Sequence, residues 1–188
     1  MIVNGINFYR QTNVLSIDDQ KEVFKDVSQE FLNNPCSCPT VPPIQTYSDL
    51  LIKFGHKPSW KNLIRQVHLS VESYYSKHFL SIEIIKGWAN HSSKNNNYSF
   101  HNHYSDCSVV YYLESKFPEY GTNILNEFII TANENSMVVF NGKILHSITN
   151  MPDFVGKDTN RISLAFDVNV ENFSNTNNNS FYSNLESR

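Results

Sequence analysis

The side chains best suited to chemistry are His101-Asn102-His103, then His146, 43 residues after the second of that pair, then Arg161, 15 residues further on. Histidines at i and i+2 point to the same face of an extended strand. A third histidine from a distant strand closes three corners of a metal octahedron and leaves the others open to ligands. Imidazole serves Fe, Zn, Cu and Ni alike, so the donor type does not name the metal. An arginine beyond such a centre can hold a carboxylate in a bidentate grip.

The ligand set read here is His101, His103 and His146. Asp106, three residues after His103, points to the opposite face of a continuing strand. A turn at Tyr104-Ser105 is needed to bring it in as a substitute ligand. Three neutral imidazoles leave a divalent metal at +2, which favours a dianionic bidentate ligand, whereas a carboxylate ligand lowers the charge to +1.

Around this set, 161–168 alternates polar and apolar residues. Arg161 and Ser163 share one face, while Ile162, Leu164, Phe166 and Val168 take the other. A guanidinium turned inward must be paired, because an unpaired buried charge is costly. A ligand carboxylate would pair it, with the Ser163 hydroxyl adding a bond. Tyr111 and Tyr112 lie on opposite faces of their strand. Tyr111 has the parity of the histidine pair if no bulge intervenes, so it reads either as a second carboxylate donor or, like Tyr112, as core packing. In Trp88-Ala89-Asn90, Trp88 reads as core, and Asn90 as a group that bonds a bound ligand or orients a ligand histidine. His56, His68, His78 and His91 have no spacing partner and read as surface or packing residues.

The elements that must position these groups fall in two halves. Ser16 and Asp19 have the capping-box spacing. Val23, Phe24, Val27 and Phe31 follow on one helical face until Asn33-Asn34-Pro35. The stretch to Pro43 holds four prolines and is loop. A short helix over 48–54 ends at Gly55. Ser59 caps a longer one carrying Trp60, Leu63, Ile64, Val67, Val71 and Tyr74. From about residue 80 the pattern turns to β-branched and aromatic runs, at 79–88, 107–113, 124–131, 136–140, 146–149 and 162–170. Asn- and Gly-containing turns separate them. Helices first and short strands afterwards predict an α+β chain, a jelly-roll barrel with N-terminal supporting helices. The expected organisation is one domain over 1–170, with supporting helices in 1–79, the jelly-roll core in 80–170 and a disordered tail over 171–188. Loops 91–99, 114–123 and 150–160 are expected to frame the entrance.

Composition limits the classes. The 188 residues suit a single core, and aromatic residues make up 13%. The net charge of -3 argues against a general phosphate-binding surface, so nucleic acid is not an expected partner. No apolar run approaches the ~20 residues of a membrane span. No signal peptide is read at the N-terminus. The three cysteines, Cys36, Cys38 and Cys107, form no disulfide framework. A reducing, cytoplasmic setting follows.

An ordered set of segments carries a resemblance. Trp88-Ala-Asn90, His101-Asn-His103, Ser108-Val-Val-Tyr-Tyr-Leu113, Val139-Phe140 leading to His146-Ser147, and Arg161-Ile-Ser-Leu-Ala-Phe166 resemble the 2-oxoglutarate and Fe(II)-dependent oxygenases. The likeness is to a small bacterial and phage branch similar in fold to the prolyl 4-hydroxylases. It spans residues 80 to 170. It implies a double-stranded β-helix, a cupin-like jelly roll. It also implies Fe(II) on His101, His103 and His146, and 2-oxoglutarate with its distal carboxylate on Arg161. The activity it implies is hydroxylation of a C–H bond with release of succinate and CO2. The substrate, a small molecule or a peptide, is not named by it, nor is the oligomeric state. The departure is at His103, where the wider superfamily most often has Asp or Glu. Two other readings accompany it. One is a three-histidine, cupin-like dioxygenase that uses no 2-oxoglutarate. The other is a non-catalytic jelly-roll binding module.

Overall fold

The computed structural model describes residues 2–3, 5–33, 44–47, 49–92, 99–149 and 161–171. The proline loop with Cys36 and Cys38, most of loops 91–99 and 150–160, and the tail beyond 171 lie outside the described residues. In chain order the elements are β1 (Ile2–Val3), β2 (Ile6–Thr12), α1 (Ile17–Asn33), β3 (Ile44–Gln45), α2 (Leu50–Phe54) and α3 (Pro58–Tyr75). The second half supplies β4 (Ser81–Ser92), β5 (Cys107–Ser115), β6 (Thr122–Ile124), β7 (Phe128–Ile130), β8 (Ser136–Asn141), β9 (His146–Ile148) and β10 (Arg161–Glu171).

Two antiparallel sheets form the body. The larger runs β1-β2-β8-β5-β10-β4-β3 and the smaller β7-β6-β9. Period-2 alternation divides the large sheet's side chains between two cores. Cys107, Val109, Tyr111 and Leu113 of β5, with Ile162, Leu164, Phe166 and Val168 of β10, pack outward against α1 and α3. Val110 and Tyr112, with Phe8, Val138 and Phe140, pack inward against Ile124 and Ile130 of the small sheet. The arrangement is the jelly roll, a double-stranded β-helix, with helices on one outer face.

The helices form where capping and apolar spacing direct. The Asp19 amide donates to Ser16 Oγ at 3.1 Å, the expected capping bond. Val23 and Val27 are fully buried, but Phe24 turns away and is 37% exposed, because one residue is a 100° step around a helix. The buried face of α1 also carries two carboxylates one turn apart. Asp26 accepts from Lys57 Nζ at 2.6 Å and Trp60 Nε1 at 3.0 Å, and Glu30 accepts from Lys53 Nζ. These bonds tie α1 to α2 and α3 beneath the sheet. Helix α3 begins at Pro58, one residue before the expected cap, since proline suits a first helical position whose N–H has no partner in the helix.

The N-terminal stretch is not only helical. β2 joins the large sheet through pairing with β8, Phe8 opposite Phe140 and Thr12 opposite Ser136. That pairing joins segments more than 120 residues apart, and no local pattern reveals it. The run read as one strand over 124–131 is instead a hairpin of β6 and β7, with Leu125 and Asn126 at positive φ in its turn. Among the described residues, no helix is long and apolar enough to cross a membrane.

Candidate metal centre

His101 and His146 are brought together by backbone. Each donates its N–H to the other's carbonyl at 2.9 Å, so the two residues form an isolated antiparallel bridge. Side chains of a directly paired couple stand side by side on one face, and the two ring centroids lie 4.5 Å apart. His103 is anchored by its own amide to Gly142 O at 2.8 Å, in the turn that links β8 to β9. A side chain at Gly142 would meet Ser105 O at 2.4 Å, so only glycine permits this approach. The His103 ring then lies 5.1 Å from that of His101 and 5.2 Å from that of His146. One potential ligand atom from each histidine falls within 4.8 Å of the other two.

The other nitrogen of each ring decides what the cluster can do. His101 Nδ1 lies 3.0 Å from Ser99 O, His146 Nδ1 lies 2.9 Å from Ile144 O, and His103 Nδ1 lies 3.1 Å from Asp167 Oδ1. Carbonyl and carboxylate oxygens only accept, so each Nδ1 carries a proton and each Nε2 keeps its lone pair. Metal-binding histidines are oriented by this arrangement. The residues therefore fit a divalent transition metal through three Nε2 atoms. Burial pushes the His146 imidazole down to about 4, with the neighbouring His101 and His103 acting in the same direction.

That depression carries a sign for the metal-free protein. Between about pH 4 and the ordinary value near 6.5, the unfolded chain binds a proton at His146 that the folded chain refuses. Stability is fully present above 6.5 and is lost as pH falls towards 4. Urea unfolding of chelator-treated protein at pH 7, 5.5 and 4.5 is expected to show wild type losing about 2 kcal/mol more than His146→Asn. Parallel pH curves for the two proteins would remove this assignment.

The histidines open into a cavity of about 400 Å³ between the sheets, lined also by Gln45, Trp88, Asn90, Ser108, Thr122, Arg161 and Ser163. Register explains the grouping. Ser163 pairs with Asn90 on one side and with Tyr112 on the other, and Gln45 pairs with Asn90, so one row of polar residues crosses the sheet. Arg161 is 1% exposed. Its Nη1 donates to the carbonyls of Tyr120 and, at 2.9 Å, Gly121, while Nη2 donates to Ser92 Oγ at 3.0 Å. The loop expected over 114–123 is shorter, since β5 runs to Ser115 and β6 starts at Thr122, and the carbonyls of its Tyr120 and Gly121 brace the arginine.

Two expectations change, those for Tyr111 and Trp88. Tyr111 does not reach the cavity. It packs in the helix-side core, and its hydroxyl donates to Asn135 Oδ1 at 3.0 Å. The bend over 104–106 resets the alternation between His103 and β5, so Tyr112 faces inward instead, its hydroxyl 2.7 Å from Thr122 Oγ1. Asp106 is exposed and accepts from the Val170 amide at 2.9 Å, outside the histidine cluster. Trp88 is not core: it is half-buried, lines the cavity and stands 5.5 Å from the His103 ring. Asp167 was missed altogether. The alternation that puts Arg161 and Ser163 inward continues through Ala165 to Asp167, and extending it by four residues finds it.

The double-stranded β-helix with helices on one outer face is a fold shared with solved structures of prolyl hydroxylases and of a protein crystallised with nickel and 2-oxoglutarate. The collagen prolyl hydroxylase of Paramecium bursaria Chlorella virus-1, in complex with 2-oxoglutarate, superposes with a TM-score of 0.62 at 10% identity, over 91% of this chain and 99% of that one. HygX from Streptomyces hygroscopicus, with nickel, 2-oxoglutarate and hygromycin B bound, gives 0.63 at 11% identity over 87% and 83%. A Pseudomonas putida prolyl-4-hydroxylase gives 0.58 at 14% identity over 86% and 92%. No family model and no curated protein matches the sequence.

Proposed function

We propose that the protein is a 2-oxoglutarate- and Fe(II)-dependent dioxygenase that hydroxylates a C–H bond of a small-molecule or peptide substrate. The observation that carries this reading is the set of three histidines whose Nδ1 atoms are all engaged and whose remaining nitrogens converge beside a cavity containing a buried arginine. Bound iron with 2-oxoglutarate supplies oxidative decarboxylation to succinate and CO2, coupled to oxygen insertion. The chain's own residues do the rest. His101, His103 and His146 hold the metal on one face and leave the cavity side open. Arg161 and Ser163, with Asn90, bind and orient the distal carboxylate of the cosubstrate, and the guanidinium neutralises its charge. Burial of Arg161 among backbone carbonyls keeps it in place before the ligand arrives, which lowers the cost of binding. Trp88 and Val110 line the same cavity and exclude water from it. The single-domain organisation over 1–170 accompanies this reading, as does a cytoplasmic setting.

The all-histidine donor set also favours a second reading, a three-histidine dioxygenase in which Arg161 binds the substrate's own carboxylate and no 2-oxoglutarate is used. One experiment separates them. Purified protein is supplied with Fe(II), ascorbate and oxygen, and oxygen uptake and succinate are followed with and without 2-oxoglutarate. The expected result is succinate formed only when metal and 2-oxoglutarate are both present. Oxygen consumption independent of 2-oxoglutarate would transfer the assignment to the second reading, and metal-free protein inert under every condition would leave a binding module.

A further inference from the structure

The three histidines are not held alike. His101 and His146 direct Nδ1 at backbone carbonyls, which are neutral dipoles. His103 directs Nδ1 at Asp167 Oδ1, a full negative charge 3.1 Å away. Asp167 is 7% exposed, and Ser105 Oγ donates to the same oxygen at 3.4 Å. A buried carboxylate is costly unless it is paired and hydrogen-bonded. Here the bend that carries His103 and Ser105 alongside residues 167–170 of β10 provides its partners. The pairing of β10 with β4 shifts register between Asp167 and Val168, with Ile85 of β4 as the extra residue opposite this point.

We propose that Asp167 is the positioning carboxylate of the metal centre. It fixes the proton of His103 on Nδ1, sets the plane of the ring and supplies, one ring removed from the metal, the negative charge that a two-histidine, one-carboxylate centre carries among its own ligands. This rests on the metal reading above. Three neutral imidazoles alone leave the metal at +2; with Asp167 behind His103 the local sum is +1. The carboxylate has not been lost from the site but stands behind a histidine. Ser105 is part of the same device, since it occupies a second lone pair of Oδ1 and turns the carboxylate towards the ring.

Cobalt(II) tests this without turnover. In wild type, each Nδ1–H of a cobalt-bound histidine gives a solvent-exchangeable, hyperfine-shifted proton resonance, so three are expected. Asp167→Asn is expected to weaken Co(II) binding by about tenfold to hundredfold. It is also expected to move or broaden one of the three resonances and leave the other two in place. Loss of the fold would instead disturb all three. Should Asp167→Asn fail to fold, Asp167→Glu, which keeps the charge but displaces it, is expected to move the same single resonance. Wild type lacking all three signals overturns the metal reading itself. Wild type showing three, with either folded variant matching it in affinity and spectrum, overturns the role of Asp167 alone.

Discussion

Replacing His146 with alanine is expected to abolish stoichiometric metal binding and lower 2-oxoglutarate-dependent succinate formation by about three orders of magnitude or more. The size follows from where the residue sits. His146 is 6% exposed, with its ring 4.9 Å from that of Phe140 and its backbone locked to His101 by two hydrogen bonds. No other imidazole nitrogen among the described residues belongs to the cluster, so the site falls from three donors to two. Burial also favours the neutral form of this ring, pushing its value down to about 4, so its lone pair is available at neutral pH. His101→Ala should behave in the same way. Isothermal titration with Mn(II) and a succinate assay on the same preparations, with circular dichroism to verify the fold, measure both effects. Full turnover in either variant would sink the ligand assignment.

Arg161→Ala is expected to raise the concentration of 2-oxoglutarate needed for half-maximal rate by about tenfold to hundredfold, the loss of a charge-assisted pair worth roughly 1.5–3 kcal/mol. The maximal rate should change less, because the guanidinium binds the end of the cosubstrate that does not react. The same substitution strips hydrogen bonds from the carbonyls of Tyr120 and Gly121 and from Ser92 Oγ, so some loss of stability accompanies it. Arg161→Lys separates the two effects. It retains a charge and part of the carbonyl bonding but loses the planar fork, and should fall between wild type and alanine. Initial rates against 2-oxoglutarate at saturating iron decide the matter. An unchanged requirement in Arg161→Ala would remove the arginine from the cosubstrate site and favour the 2-oxoglutarate-independent alternative.

Much of this was legible along the chain because the relevant physics is local. A strand places alternate side chains on alternate faces, so the pattern of 161–168 by itself put Arg161 and Ser163 on one face and four apolar residues on the other. A helix repeats every 3.6 residues, so Trp60, Leu63, Val67 and Val71 declared a buried stripe. Ser16 and Asp19 declared a helix start. The pair His101 and His103 declared a shared direction.

What the sequence determined by itself is the set of elements, their apolar faces and the residue types able to hold a metal and a carboxylate. Tertiary structure decided which of them meet. Tyr111 was misplaced because a bend over 104–106 broke the alternation on which its parity depended, and a bend of that kind is held by long-range bonds such as Gly142 N–H to Asp106 O. The partnership of His101 with His146 rests on a two-residue backbone bridge across 45 positions of sequence. Asp167 acquires its meaning only when β10 lies against the bend that carries His103. Alternation and helical repeat arise from the covalent backbone of each residue, and so they can be read one segment at a time. Register, by contrast, is chosen by the free energy of all the pairings at once, and no segment contains that choice.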